Sequence, residues 1–203
     1  MPADTSKKKI RNGVLAALAI AGVGGGLYAI FQDGAQLAKA AYAVGSPGVG
    51  TAAPAFDLPS SGGGDLSLAA LKGKTVLLYF QEGLTCQPCW DQMSDLEKNA
   101  TAVMAAGVDQ VVSITSDPAN LISQKTADMH LATPVLSDAN LAVSRSYDAN
   151  SYGMMGDSRD GHTFVLIGPD GVIKWRADYG GAPNYTMFVP TTQLLADLKA
   201  GEK

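Results

Sequence analysis

The apolar positions of this chain change period along its length, and the changes mark out its elements. "TVLLYF" (Thr75 to Phe80) is a short unbroken apolar run, the pattern of a strand buried on both faces. From Cys89 onward, Trp90, Met93, Leu96, Ala100, Val103 and Met104 recur every three or four positions, which predicts a helix ending near Gly107. "VVSIT" (Val111 to Thr115) is a second strand. "SDPANLISQKTADM" begins with an N-cap candidate and Pro118 in the first turn, so a helix follows. "TPVLSD" predicts a short strand edge, and "DANLAVSRSYD" a helix opened by Asp138. "HTFVLIGPDGVIKWRAD" is two strands joined by the turn "GPDG", hence a hairpin, and "PTTQLLADLKAG" is the closing helix. Ahead of these, "PSSGGGD" (Pro59 to Asp65) is a loop between two short strands. The order of elements predicts an α/β layer fold around a central mixed sheet flanked by helices.

The N-terminal part follows a different rule. "VLAALAIAGVGGGLYAIF", Val14 to Phe31, is 18 residues without a charge, about the shortest helix that crosses a hydrocarbon core of ~30 Å. Lys7, Lys8, Lys9 and Arg11 precede it, which predicts that end inside and the body outside. The expected organisation is a basic tail (1–13), a transmembrane or signal-anchor helix (14–31), a Gly- and Pro-rich linker (32–49) and one folded domain (50–203). Cleavage after "AKA" (Ala38 to Ala40) is the alternative, giving a secreted domain. Both place the domain outside the cytoplasm. The first twelve residues carry +3 of a net −4, so the remainder stands at −7. An acidic body of this kind excludes nucleic acid as a partner.

Both cysteines of the chain lie in "FQEGLTCQPCWDQ", as Cys86 and Cys89. They sit where an apolar strand ends and a helix begins. There, unpaired backbone N–H groups and the helix dipole stabilise an anion and lower a thiol pKa. A thiolate is the nucleophile of disulfide exchange, and a second thiol three residues on can resolve the mixed disulfide. Pro88 stiffens the turn between them. A purely structural staple is the alternative, but a ring this small is worth only about 2 kcal/mol. Zinc wants four ligands, and only His130 and His162 remain to supplement two thiols. Attached c-type haem needs a histidine where Trp90 stands. No cofactor or structural metal is therefore expected. Glu82 is read as a solvated loop residue, with a proton acceptor beside the thiols as the alternative.

The stretch "APAFDLPS…LSLAALKGKTVLLYFQEGLTCQPCWDQMSDLEK", continued by "TPVLSDANLAVSRSYDA" and "HTFVLIGPDGVIKWRADYGG", resembles the thioredoxin-like redoxin superfamily. Its TlpA-type thiol–disulfide oxidoreductases and AhpC/TSA peroxiredoxins are the two branches concerned. The resemblance implies a thioredoxin-like fold over roughly residues 50 to 200, with Cys86 attacking and Cys89 resolving. The sequence departs from each branch in one place. Where thioredoxin-type proteins carry a cis-proline before the strand "TFVLI", this chain has Gly161-His162-Thr163. Where peroxiredoxins carry an arginine, it has Gly161, with Arg159 nearby; aligning the helix on that branch places the peroxidatic position at Cys89. His162 also resembles the histidine with which Sco copper chaperones and two cysteines hold copper, but a lone histidine near a strand start is more often a hydrogen-bonded structural residue, and that is the expected role. The expected function is thus an extracytoplasmic, membrane-tethered thiol–disulfide oxidoreductase, with a thiol peroxidase and a copper carrier as alternatives. Expected partners are protein thiols or disulfides, or a membrane electron donor.

Overall fold

A computed structural model describes residues 42–201. Seven strands and five α-helices follow in the predicted order. They are β1 (Asp57–Pro59), β2 (Asp65–Ser67), β3 (Val76–Phe80), α1 (Gln87–Lys98), α2 (Ala100–Ala105), β4 (Gln110–Thr115) and α3 (Ala119–Asp128), then β5 (Val135–Ser137), α4 (Ala142–Ser146), β6 (Thr163–Ile167), β7 (Ile173–Asp178) and α5 (Thr191–Gly201). Five strands form one mixed sheet in the order β5-β4-β3-β6-β7. β3 pairs in parallel with β4, and β4 with β5, whereas β6 runs antiparallel to both β3 and β7. β1 and β2 make a separate antiparallel pair around the Gly-rich loop.

β3 lies at the centre, and every one of its residues is buried. Strand alternation explains why its run is apolar throughout. Leu77 and Tyr79 point to the layer of Trp90, Met93, Leu96, Ile122, Leu194 and Leu198. Val76, Leu78 and Phe80 point to the opposite layer, built on Phe56, Leu71, Tyr147 and Ala149. The C-terminal end of β3 therefore delivers the cysteine loop to the end of the sheet where α1 begins.

Three local expectations are corrected by tertiary contacts. The single helix from Cys89 to Gly107 starts two residues earlier and breaks at Asn99, where the backbone leaves helical geometry (φ −104°, ψ 19°) and both the backbone N–H, at 3.1 Å, and the side-chain amide, at 2.8 Å, donate to the Asp95 carbonyl. α3 has Pro118 itself at the capping position, because Asp117 is engaged elsewhere. The helix opened by Asp138 spans only Ala142–Ser146, after Leu141 in the left-handed region at φ 59°. The expected hairpin at "GPDG" is present, closed by Gly168 N–H on the Val172 carbonyl at 2.9 Å.

The expected span over 14–31 lies outside the described residues, as does most of the linker. Among the described residues no helix is long and apolar enough to cross a membrane. The last linker positions are packed onto the domain. Ala43 bridges Asp178, Gly45 N–H donates to the Asp178 carboxylate at 2.6 Å, and Tyr42 sets its ring edge-on to Trp175 and Tyr179. Beneath them Arg176 and Asp178 form an ion pair at 2.9 Å with neither side chain exposed.

Candidate active site

Cys86 is the N-cap residue of α1, and its sulfur accepts the Cys89 backbone N–H at 3.3 Å. This is the orphan-donor position expected for a reactive thiol. The two sulfurs are joined as a disulfide. Cys86 is 6% exposed and Cys89 wholly buried, so the outer sulfur is that of Cys86. Met187, from the loop before α5, packs on the pair, a contact with no signal in the sequence.

The loop from Gln81 to Cys86 is fixed almost atom by atom. Gln81 N–H donates to the Ile114 carbonyl at 3.0 Å, extending the β3–β4 pairing by one residue. The Gly83 carbonyl accepts from Cys86 N–H at 2.9 Å and from the Trp90 indole N–H at 3.0 Å. Trp90 thus packs under α1 and also holds the loop. Leu84 N–H donates to Asp117 Oδ2 at 2.6 Å, and the Glu82 carbonyl accepts from Arg159 Nη1 at 3.0 Å. The same Nη1 pairs with Asp117 Oδ1 at 2.9 Å. Gly83 has φ 84°, and a Cβ there would stand 1.7 Å from Asp117 Oδ2, so only glycine lets the loop lie against that carboxylate.

Glu82 is not a solvated loop residue. It is 4% exposed, and its Oε1 accepts the Met154 backbone N–H. It is a structural acceptor that ties the 153–158 segment to the cysteine loop, while the side chains of Met154 and Met155 are exposed. His162 is not the hydrogen-bonded strand-start residue that a lone histidine usually is. It is wholly buried, edge-on to Tyr79 and Phe164, and neither ring nitrogen has a partner among the described residues. Burial lowers its pKa to about 3, so the imidazole is neutral. Among the described residues no three His, Cys, Asp or Glu side chains gather in a way that would hold a metal ion, so Cys86, Cys89 and His162 do not form a ready-made copper site.

Gly161 owes its identity to packing. A Cβ there would lie 1.8 Å from the Tyr152 carbonyl oxygen and 2.6 Å from the Gly153 nitrogen, both backbone atoms. No side chain, arginine included, fits at that place. The guanidinium nearest in sequence, Arg159, instead reaches the cysteine loop from two residues upstream. In the sequence Arg159 is only a neighbour of Gly161 and Asp117 carries no sign of a site role; the close approach of the Asp117 carboxylate that requires glycine at position 83 is visible only in the fold.

A protein-family model described as the AhpC/TSA family matches residues 49–176. A Mycobacterium tuberculosis protein assigned to the peroxiredoxins is 33% identical over 130 residues, covering 61% of this chain and 80% of its own. A Coxiella burnetii protein assigned as the peroxiredoxin bcp is 35% identical over 137 residues, covering 62% and 85%. Among solved structures, the peroxidoxin BcpB of Mycobacterium tuberculosis superposes with a TM-score of 0.62 at 20% identity, over 75% of this chain and 96% of that one. The 2-Cys peroxiredoxin of Plasmodium vivax gives 0.61 at 23%, over 75% and 80%. These two establish the thioredoxin-like fold. With its family model matched over well more than half its length and its paired cysteines closed at the head of α1, the chain belongs to the AhpC/TSA family and is a thiol-dependent redox enzyme.

Proposed function

We propose that the protein is a thiol–disulfide oxidoreductase that cycles between the Cys86/Cys89 dithiol and the disulfide. The observation that carries this reading is the position of both sulfurs within one turn at the N-terminus of α1, the outer one capping the helix. In the reducing direction the Cys86 thiolate attacks one sulfur of a substrate disulfide and expels the other as a thiolate. Cys89, deprotonated, then attacks the Cys86 sulfur of the mixed disulfide. The ring closes and the second substrate thiolate leaves, so the substrate gains the two electrons the enzyme loses. The reverse sequence oxidises a substrate dithiol. Proteins carrying thiols or disulfides are the partners this chemistry takes.

A second reading, thiol peroxidase, is favoured by the curated relatives, which are assigned to the peroxiredoxins. In it a cysteine thiolate cleaves the O–O bond, leaving a sulfenic acid and an alcohol or water. The other thiol then displaces water to give the same disulfide. Gly161 denies this reaction a guanidinium at the place where the peroxiredoxin branch carries one. Losing such a donor costs ~10²–10³ in rate, judged from oxyanion-hole deletions. Mixing the reduced full-length protein with hydrogen peroxide or with a small disulfide, and following tryptophan fluorescence, separates the two. Trp90, bonded to the loop before Cys86, reports oxidation in both. Faster oxidation by the disulfide is expected; oxidation by peroxide orders of magnitude faster would make the protein a peroxidase.

The cellular setting follows from the N-terminal sequence. The basic cluster before Val14 and the charge-free run to Phe31 support a retained anchor with the domain on the extracytoplasmic side. Protease treatment of intact cells is expected to remove the domain and spare the first residues. A mature chain beginning near Ala41 would replace the anchor with a cleaved signal.

A further inference from the structure

The segment that brings the chain into the domain arrives at the catalytic end of the sheet. Ala43 exchanges both backbone hydrogen bonds with Asp178: its N–H donates to the Asp178 carbonyl at 3.0 Å, and its carbonyl accepts the Asp178 N–H at 2.9 Å. Asp178 pairs in register with Thr163, and Thr163 with Phe80, the last residue of β3 before the cysteine loop. Ala43 and the root of the Cys86 loop therefore lie in one row across the sheet. The Gly45 N–H on the Asp178 carboxylate continues the attachment, as does the Pro47 carbonyl, which accepts from Arg176 Nη1 at 3.4 Å.

One side chain, Tyr152, fills the space between this segment and the cysteine loop. Its ring is held edge to edge. A Cβ on Gly45 would stand 2.5 Å from the hydroxyl oxygen and 2.8 Å from Cε2, and a Cβ on Gly181 would stand 2.9 Å from Cδ1 on the other edge. The Arg176 guanidinium covers one face, its Cζ 5.6 Å from the ring centroid. The Tyr152 carbonyl is held as closely. It accepts His162 N–H at 2.9 Å, and Gly161 and Gly180 lie so near that a Cβ on either would come within 1.8 or 2.1 Å of it. The next two residues reach the cysteine loop: a Cβ on Gly153 would lie 2.8 Å from Glu82 Oε1, and Met154 N–H donates to that same oxygen. Among the described residues this amide is the single donor to the buried Glu82 carboxylate.

Close packing transmits a displacement instead of absorbing it. We propose that Tyr152 is a positioning residue for Cys86, tying the cysteine loop to the packing of residues 42–47 on β7. With the segment docked, the ring stays in its slot, the carbonyl on His162 and the Met154 amide on Glu82. When the segment leaves β7, the ring loses the wall that Gly45 provides. The Met154 amide then loosens its hold on Glu82, three residues before Leu84–Thr85–Cys86 are complete. The bonds of Gln81, Gly83 and Leu84 remain, so the loop loosens without opening. Cys86, 6% exposed, becomes easier to reach. A partner that takes the segment from β7, or a load on the chain that precedes it, thus acts on the thiol.

The kinetic half of this proposal rests on Cys86 as the exchanging thiol; the packing half does not. Gly45→Ala pushes on the ring from the side of the segment, and Gly45 is not in the left-handed region, so the added Cβ brings no backbone strain. Tyr152→Ala removes the ring. In the oxidised full-length protein in detergent, amide hydrogen exchange at Met154 should quicken about fivefold in both variants, the scale of one net hydrogen bond. Tyr152→Phe, which keeps the ring, should restore the slow rate. In the reduced proteins, alkylation of Cys86 by iodoacetamide is followed at about pH 9, where the thiol is mostly ionised and access sets the rate. It should quicken by about the same factor and be restored by the same variant. Gly45→Ala combined with Tyr152→Ala should match Tyr152→Ala alone, because the segment acts through the ring. Unchanged Met154 amide exchange overturns the coupling. Faster amide exchange beside unchanged alkylation overturns the positioning of Cys86. Effects that add in the double variant overturn the route through Tyr152. Should Tyr152→Ala fail to fold, Gly45→Ala against wild type decides alone: both readouts must quicken, and either one unchanged overturns the proposal. Labelling of Cys89 in place of Cys86 overturns the exchange mechanism and leaves the Met154 result standing.

Discussion

Replacing Asp117 with alanine tests whether the cysteine loop is held as the geometry indicates. The substitution leaves Leu84 N–H without its acceptor at 2.6 Å in a closed site, and an unmet buried donor costs about 1–3 kcal/mol. The Thr115 hydroxyl, at 3.2 Å, can rotate to another acceptor and adds little. Arg159 is not counted as a loss, because its side chain is 25% exposed and can turn to solvent. With the small void left by the carboxylate, a destabilisation of roughly 2–4 kcal/mol is expected. Asp117→Asn keeps an acceptor oxygen for Leu84 and loses only a partly screened ion pair, which is worth about 1 kcal/mol or less. Urea unfolding of the oxidised full-length protein in detergent, followed by tryptophan fluorescence, should show both midpoints lowered at unchanged slope, the alanine variant by much more. Equal losses for the two variants, or less than about 1 kcal/mol for alanine, would refute the idea that the Leu84 amide bond is what fixes the loop.

Other consequences are as direct. Gly161→Ala sets a Cβ against the Tyr152 carbonyl at 1.8 Å, so a loss of about 3 kcal/mol or more is expected in the same unfolding assay, and Gly161→Arg should fold worse still without raising peroxide reactivity. Asp178→Ala strands the fully buried Arg176 and should cost about 3–5 kcal/mol, whereas replacing both partners with apolar residues of similar volume should cost less. Stability should fall on both sides of mildly acidic pH, as thermal melts between about pH 3 and 9 would show. Asp160, raised from 3.8 to about 8, holds a proton that the unfolded chain releases, so its contribution is full below pH 3.8 and is lost as pH rises through 8. His162, lowered from 6.5 to about 3, refuses a proton that the unfolded chain takes up, so stability also falls as pH drops from 6.5 towards 3. Between 3.8 and 6.5 the two slopes offset each other. Asp160→Asn should therefore remove the alkaline fall and leave stability falling from 6.5 downward, whereas His162→Phe should remove the acid fall and leave stability falling from 3.8 up to about 8.

What the sequence determined by itself was everything governed by short-range periodicity. The unbroken run of β3 follows from burial on both faces, the three- and four-residue spacing from Trp90 to Leu96 gives α1, and "GPDG" gives the hairpin. The cysteine pair was legible for the same reason: a strand ending at Phe80 and a helix starting near Cys89 leave the thiols at a helix N-terminus wherever that helix packs. The sequence did not reveal how the polar residues are used. Asp117 was open to reading as a helix cap, and Glu82 as solvated. Each acquires its role from a partner far along the chain: Leu84 lies 33 residues from Asp117, and Met154 lies 72 from Glu82. Apolar residues announce burial through a pattern of their own, because any apolar neighbour satisfies them. A buried polar group is satisfied only by a particular donor or charge, and only the tertiary structure decides which one it meets.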